Sequence, residues 1–355
     1  MSSYSVAVIA GDGIGPEVVA PAIELVDRVA GAYGSGVEWT HFPWGSDHYR
    51  AHGRMMPADA LDQLRPYDAL FFGAVGAPDI PDTVTLWGLL IPIRRGFEQY
   101  VNLRPVRHIE GVPSPLAAPQ GIDLVIVREN SEGEYSDVGG RKQIGTPDEY
   151  AAQETRFTRR GTERIARYAA ELALRRSGKL TSATKSNGIL HTMPYWDEVV
   201  AETVARYEGV ELRPILIDAL VAALVQRPQQ FDVIVGSNLF GDILSDLTAA
   251  CVGSLGLAPS ANLNPEREFP SMFEPVHGSA PDIAGQGVAN PMAQFYSAAM
   301  MLDHLGEPAA AAAISAAVDA VLRDGIRSRD LGGTAGTTEV TEAVLTRLTL
   351  PGRRG

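Results

Sequence analysis

The sequence predicts an α/β protein organised on an open sheet, with its ligands at strand ends. Three observations carry that expectation. Apolar runs at Ser5 to Ala10, Asp68 to Val75, Ile122 to Glu129 and Asp232 to Gly236 end in glycine-rich or polar turns, as buried strands do. Stretches with helical periodicity lie between them, so strands and helices alternate. At 355 residues the chain is long for one core, which favours two domains that can interleave in sequence.

Composition narrows the function mainly by exclusion. With 45% hydrophobic and 21% charged residues, no repeat, and one alanine-rich helix at Ala309 to Leu322, the chain reads as an ordinary globular protein. Disorder is expected only at Pro351 to Gly355. A net charge of −13 argues against nucleic acid as a partner, so any anionic ligand needs a local arginine cluster. The one cysteine, Cys251, excludes an intrachain disulfide and a multi-cysteine zinc site, and fits a reducing cytoplasm. The start, SYSVAVIAGDGIG, lacks the pattern of a signal peptide, and no apolar run has the length of a membrane span. The expectation is a soluble cytoplasmic protein. Of 30 basic residues only Lys142, Lys179 and Lys185 are lysines, and lysine, unlike arginine, can give up its proton.

Taken in order, Ser5 to Ala10, the turn GDGIGPE and the helix Pro16 to Ala30 form a β-turn-α unit with Pro16 in the first helical turn. The turn does not satisfy GxGxxG, because Pro16 stands where the third glycine belongs. Its glycines can equally serve close packing of helix on strand. From Thr85 to Arg107 an apolar helical face carries Arg94 and Arg95, and a short strand-like segment leads to Arg104 and Arg107. Arginine forks bind carboxylates bidentately, so arginines converging here would recognise a dicarboxylate. For Arg95 and Arg107 a solvated face is the expectation.

The strand Ile122 to Glu129 delivers Arg128 and Glu129, and the following NSEGEYSDVGGR forms a turn or extended arm that displays Tyr135 near Arg128. Positive charge there would lower the phenol pKa and suit a proton donor; a packing role is the alternative. A helix spans 161 to 176, with arginines on its exposed side. Strand KLTSAT delivers Lys185 to a loop with Asn187, and strand VELRPILID ends on Asp218. In SNLFGDILSD, residues 237 to 246, Asp242 and Asp246 are spaced i, i+4 on one helical face. Such a pair can hold a hard cation or merely complement a helix N-terminus, and both readings stay open from these residues alone. Several polar groups delivered to strand ends favour a site, because capping does not explain Lys185 or Asp218. CVGSLGLAPSANLNP reads as a connection, and Phe273 to Asn290 reads as one long loop whose small residues and amides suit a phosphate or adenosine surface.

Together GDGIGPE, NLRP, VRENSEGEY, TKSN, SNLFGDILSD and EPVHGSAPDIAG resemble, over essentially the whole chain, the metal-dependent β-decarboxylating dehydrogenases, the isopropylmalate and isocitrate dehydrogenase group. HGRMMP, FFGAVG, TLWG, QYVNLRPVR, TSATKSNG, MPYWDE and APSANLNPER look most like its tartrate dehydrogenase/decarboxylase and D-malate dehydrogenase branch. The resemblance implies an isopropylmalate dehydrogenase-like two-domain fold, non-Rossmann, with a large mixed sheet and flanking helices. It implies a cofactor-binding domain of residues 1–101 plus 253–355, and a second domain, 102–252, with the metal and substrate site and the dimer interface. It implies Arg94, Arg104 and Arg128 as ligands of substrate carboxylates, and Asp218, Asp242 and Asp246 as ligands of Mg²⁺ or Mn²⁺. Lys185 and Asp218 would reach the site from a second subunit, making the active unit a homodimer. Tyr135 and Lys185 would be the acid/base pair, with the lysine pKa lowered by burial or nearby positive charge. His277, Gly278, Ser279, Ala280, Asp282 and Asn290 would line the cofactor. Asp282 favours NAD, because a carboxylate accepts hydrogen bonds from ribose hydroxyls and repels a 2′-phosphate. A monovalent cation such as K⁺ can assist.

The implied reaction is oxidation of a small 2-hydroxy dicarboxylate with β-decarboxylation: D-malate to pyruvate and CO₂, or tartrate to oxaloglycolate. Where isopropylmalate enzymes carry a glutamate this chain has Trp87, and where isocitrate enzymes have serine and asparagine it has Gly88 and Leu90. A bulky Trp87 would shrink the pocket toward four-carbon acids, unless it packs into the core. The alternatives are a 3-isopropylmalate dehydrogenase, a metal-dependent hydrolase or phosphoryl-transfer enzyme, and a non-catalytic anion-binding protein.

Overall fold

The protein is described by a computed structural model over residues 2–351, so most of the tail read as disordered lies outside the described residues. Ten strands form one mixed sheet: β1 (Ser3–Gly11), β2 (Gly36–His41), β3 (Ala69–Ala74), β4 (Val101–Arg107), β5 (Asp123–Glu129), β8 (Lys179–Thr184), β9 (Glu211–Leu216), β10 (Val233–Gly236), β11 (Pro259–Leu263) and β12 (Ser271–Pro275). Two more, β6 (Gly139–Lys142) and β7 (Tyr150–Gln153), pair as a separate exposed ribbon, the arm read after Tyr135.

The spatial order β2-β1-β3-β12-β11-β4-β5-β10-β8-β9 divides by sequence origin. The first five strands come from the two ends of the chain and the last five from its middle. Within each half the outer strands are parallel, while β11 and β4 pair antiparallel with both neighbours. The run β2-β1-β3-β12 therefore points opposite to β5-β10-β8-β9. Strands β3 and β10 are buried at every residue, which accounts for their unbroken apolar runs. Edge strand β9 is half-exposed and carries Pro214, whose missing N–H costs nothing at an edge. Helices cover the buried strands, and one apolar cluster runs through both halves from Val6 and Leu25 to Trp196 and Leu244. Each fully buried large side chain in it contributes about 2 kcal/mol. Among the described residues no helix is long and apolar enough to cross a membrane.

Helix Gly15–Tyr33 follows β1 as expected, and the GDGIGPE glycines serve close packing. A Cβ on Gly11 would stand 1.9 Å from the Ala74 carbonyl oxygen, and one on Gly15 would stand 2.1 Å from that of Ala10. Two expectations fail. The connection at 251–265 contains β11, and the loop proposed from Phe273 begins inside β12. Their Pro, Ser, Asn and Glu residues are poor strand formers, but in the buried sheet centre these side chains bond one another, and tertiary pairing overrides propensity. Helix Thr337–Arg347 was not expected from the sequence.

Candidate active site

Strand β10 ends at Gly236, and helix Asn238–Val252 starts behind Ser237, whose hydroxyl accepts a hydrogen bond from the Phe240 amide. The helix has no acid in its first turn: Asp242 and Asp246 lie on the second and third turns. The capping reading of these two acids is therefore wrong for this helix, and the serine does that work. Asp242 turns into the sheet centre, with Oδ1 accepting from Arg104 Nη1 at 3.1 Å and from Arg128 Nη1, and Oδ2 accepting from the Tyr135 hydroxyl at 2.7 Å. Burial opposes its ionisation, but Arg128 and Arg104 outweigh burial and hold the carboxyl below its ordinary range. Asp246 is more open, with 57% of its side chain exposed, and approaches Arg104 at 3.6 Å.

Arg128 sits at the end of β5 and donates through Nε and Nη2 to Asn238 Oδ1, at 3.1 and 2.7 Å. Burial and the neighbouring Arg104 lower its pKa to about 10, which leaves it charged at neutral pH. Arg104 comes from the middle of β4, and Arg94 from helix Ile91–Gly96. Arg94 Nη2 donates to Glu274 Oε1 at 2.6 Å, while its Nε is buried without a partner. These three arginines, with Tyr135, Asp242, Leu86 and Ile91, surround a cavity of about 160 Å³. A larger and mostly apolar cavity, about 630 Å³, lies beyond the far end of helix Asn238–Val252 and carries no such convergence of cations.

Several expectations need correction. Arg95 is not a solvated residue: it lines the small cavity, donates to the Tyr135 carbonyl at 2.8 Å and stacks 5.0 Å over Trp87. Arg107 pairs with Asp319 over the Tyr296 ring, away from the site. Trp87 neither shrinks the cavity nor enters the core. Residues Leu86–Leu90 form a π turn, whose extra residue per turn shifts the helical phase; Leu86 lines the cavity, and Trp87 lies half-buried against Arg95. The Tyr135 phenol is raised, not lowered, because burial and the Asp242 carboxylate outweigh Arg128 and Arg104. Asp218 lies in the first turn of helix Ile217–Gln226, just past β9.

Lys185 and Asp218 are paired with each other, Nζ to Oδ1 at 2.6 Å, and neither lines the small cavity. The neighbour of Lys185 is thus a carboxylate, and the Lys185 ammonium holds the Asp218 carboxyl below its ordinary range. Among the described residues no three His, Cys, Asp or Glu side chains converge as a metal site would require. One chain brings together Asp242 and Asp246 but not Asp218.

In the segment 277–290, the Ser279 carbonyl accepts from the Ile14 amide at 2.8 Å, and a Cβ on Gly13 would stand 2.0 Å from that oxygen. The first β-turn-α unit thus supports this loop. Ala280 has φ +39°, Gly278 and Asp282 are exposed, and Nε2 of His277 is buried without a partner. Burial lowers the His277 pKa, so the imidazole is neutral at pH 7. Asn290 donates to Asp330 at 3.1 Å and accepts from the Met292 amide. Glu274, Asn262, Asn238 and Asp330 carried no expected role; the first three stand inside the motifs quoted above, but nothing local marks their partners.

The family model described as isocitrate/isopropylmalate dehydrogenase matches residues 5–344. A probable tartrate dehydrogenase/decarboxylase of Bacillus subtilis (strain 168) is 52% identical, covering 98% of this chain and 99% of its own. The D-malate dehydrogenase (decarboxylating) of Escherichia coli (strain K12) is 51% identical, covering 97% and 98%. Among solved structures, isocitrate dehydrogenase from Methylococcus capsulatus superposes with a TM-score of 0.88 at 35% identity, covering 97% of this chain and 99% of that one.

Proposed function

The chain belongs to the isocitrate/isopropylmalate dehydrogenase family, and from that premise we propose that it oxidises and decarboxylates a four-carbon 2-hydroxy dicarboxylate, D-malate or tartrate, with NAD⁺ and Mg²⁺ or Mn²⁺. The observation that carries this reading is the convergence of Arg94, Arg104 and Arg128 on a cavity of about 160 Å³ beside Asp242 and Tyr135. Three buried guanidiniums suit the two carboxylates of the substrate. The cavity is small, which favours D-malate or tartrate over the bulkier, branched isopropylmalate. Membership of a dehydrogenase family leaves the hydrolase alternative without support.

The residues present fit a hard cation as a half-site: Asp242 and Asp246 share one helical face, and Asp218 of a second copy would complete the ligand set. A divalent cation held there supplies charge that acidifies the substrate hydroxyl and favours the ketone product. Lys185 of the same second copy, as the neutral amine, would receive the hydroxyl proton, and the Tyr135 hydroxyl would return a proton to C3 once the β-carboxylate has left. Arg94, Arg104 and Arg128 hold the carboxylates so that C2 and C3 meet those groups. Residues 277–290 fit NAD⁺, the hydride acceptor, because the buried Nε2 of His277 lacks a partner and the exposed carboxylate of Asp282 suits ribose hydroxyls.

A homodimer with shared sites is part of the proposal. Apolar side chains are exposed beside both half-sites, among them Ile189, Leu190 at 75%, Val225, Leu239 and Ile243, and a second copy would cover them. We further divide the chain into a cofactor domain of residues 1–101 with 253–355 and a second domain of 102–252, following the two halves of the sheet. The buried free thiol of Cys251 is in keeping with a cytoplasmic setting. A monovalent cation such as K⁺ would act as a further activator. The test is NADH absorbance after mixing protein, NAD⁺, Mn²⁺ and one acid. Turnover with D-malate or tartrate is expected; turnover with 3-isopropylmalate alone would overturn the substrate assignment.

A further inference from the structure

Arg94 comes from helix Ile91–Gly96 and Arg104 from strand β4, yet one chain of side-chain hydrogen bonds joins them. Arg94 Nη2 donates to Glu274 Oε1 at 2.6 Å, and Asn262 Nδ2 donates to the same oxygen at 2.7 Å. Asn262 Oδ1 accepts from Asn102 Nδ2 at 2.8 Å and from Asn130 Nδ2 at 2.9 Å. Asn102 Oδ1 then accepts from Arg104 Nε at 2.6 Å. Arg94, at 8% exposure, is the most accessible member, so the links lie largely out of reach of bulk solvent.

The backbone places the hub. Asn262 of β11 lies opposite Asn102 of β4, and Asn102 lies opposite Arg128 of β5. The amide of Asn262 can point only one way. Turned over, its NH₂ would face two other NH₂ groups and its oxygen would face a carboxylate.

We propose that Asn262 is a positioning residue that fixes the distance between Arg94 and Arg104, and through it the selection of a dicarboxylate. This rests on the dicarboxylate reading above. Asn262 touches no substrate; it fixes where Glu274 holds Arg94, and where Asn102 holds Arg104. A ligand with two carboxylates senses that spacing, whereas a ligand with one does not.

The test is Asn262→Asp in the full enzyme with NAD⁺ and Mn²⁺. The substitution keeps the size and the oxygen that serves Asn102 and Asn130, but sets a carboxylate against Glu274. The KM for D-malate is expected to rise about tenfold or more while kcat stays within about threefold. D-lactate, the 2-hydroxy acid without the second carboxylate, is added as a probe, and the constant for its inhibition of D-malate turnover stays within about twofold, a split that a merely structural role would not produce. Should Asn262→Asp not fold, Asn262→Ser, which adds no charge, shifts KM in the same direction. An unshifted KM for D-malate, or a parallel shift in the D-lactate inhibition constant, overturns the proposal. Failure of the parent enzyme to turn over D-malate or tartrate is a different result, and removes the reading on which the proposal stands.

Discussion

Arg128 shows how much of the site resides in single side chains. Its guanidinium is buried and uses three nitrogens on Asn238 and Asp242. Arg128→Lys keeps the charge but not the fork, so kcat/KM for D-malate should fall about 100-fold, near 3 kcal/mol, in steady-state assays. Its neighbour Glu129 is fully buried, and burial raises its pKa to about 7 against the hydrogen bonds donated by Ser131 and the Glu132 amide. An acid whose folded pKa lies above its unfolded value binds more protons when folded, so it destabilises the fold as pH rises between the two. Denaturant titrations should therefore show a loss on the order of 3 kcal/mol at most from about pH 4.5 to 7 attributable to this group, and Glu129→Gln should flatten that slope. The sequence singled out Arg94, Arg104 and Arg128 through the family motifs in which they stand, since 27 of the 30 basic residues are arginines and residue type alone does not separate them from Arg95 or Arg107. It did not reveal their counter-ions: Glu274 lies 180 positions from Arg94, and no local pattern encodes such a contact.

Among the elements, helix Asn238–Val252 was legible in its start, its register and the shared face of its two acids. The serine that caps it settles what those acids are free to do. Ser237→Ala removes the hydroxyl that serves the Phe240 amide and should cost about 1 kcal/mol in thermal or denaturant unfolding. The loop at 277–290 leans on the first turn of the chain, where Gly13 has φ +56° and no room for a side chain. Gly13→Ala should raise the KM for NAD⁺ more than that for D-malate, and lower stability by about 1–3 kcal/mol. Strands β11 and β12 were not legible, because Pro259, Ser260, Asn262 and Pro275 are residues that propensity places in turns. The π turn at Leu86–Leu90 was equally hidden, and it alone exchanges Trp87 for Leu86 at the cavity wall.

For the whole molecule, the sheet brings strands from both chain ends against strands from the middle, and the arginine cavity lies where the two sets meet. Length and alternation made the α/β class legible, and the motifs made the mixed sheet an expectation. Within one chain Lys185 and Asp218 pair with each other, and neither lines the cavity that Asp242 does. If two copies share each active site, two defective variants can complement each other. Lys185→Ala and Asp242→Asn, each inactive alone, are unfolded, mixed in equal amounts and refolded together, and NAD⁺ reduction by D-malate is measured. With shared sites, each mixed dimer holds one site with both residues intact, so about a quarter of the parent activity should return. Activity no greater than the sum of the two separate variants would instead place each site within one chain.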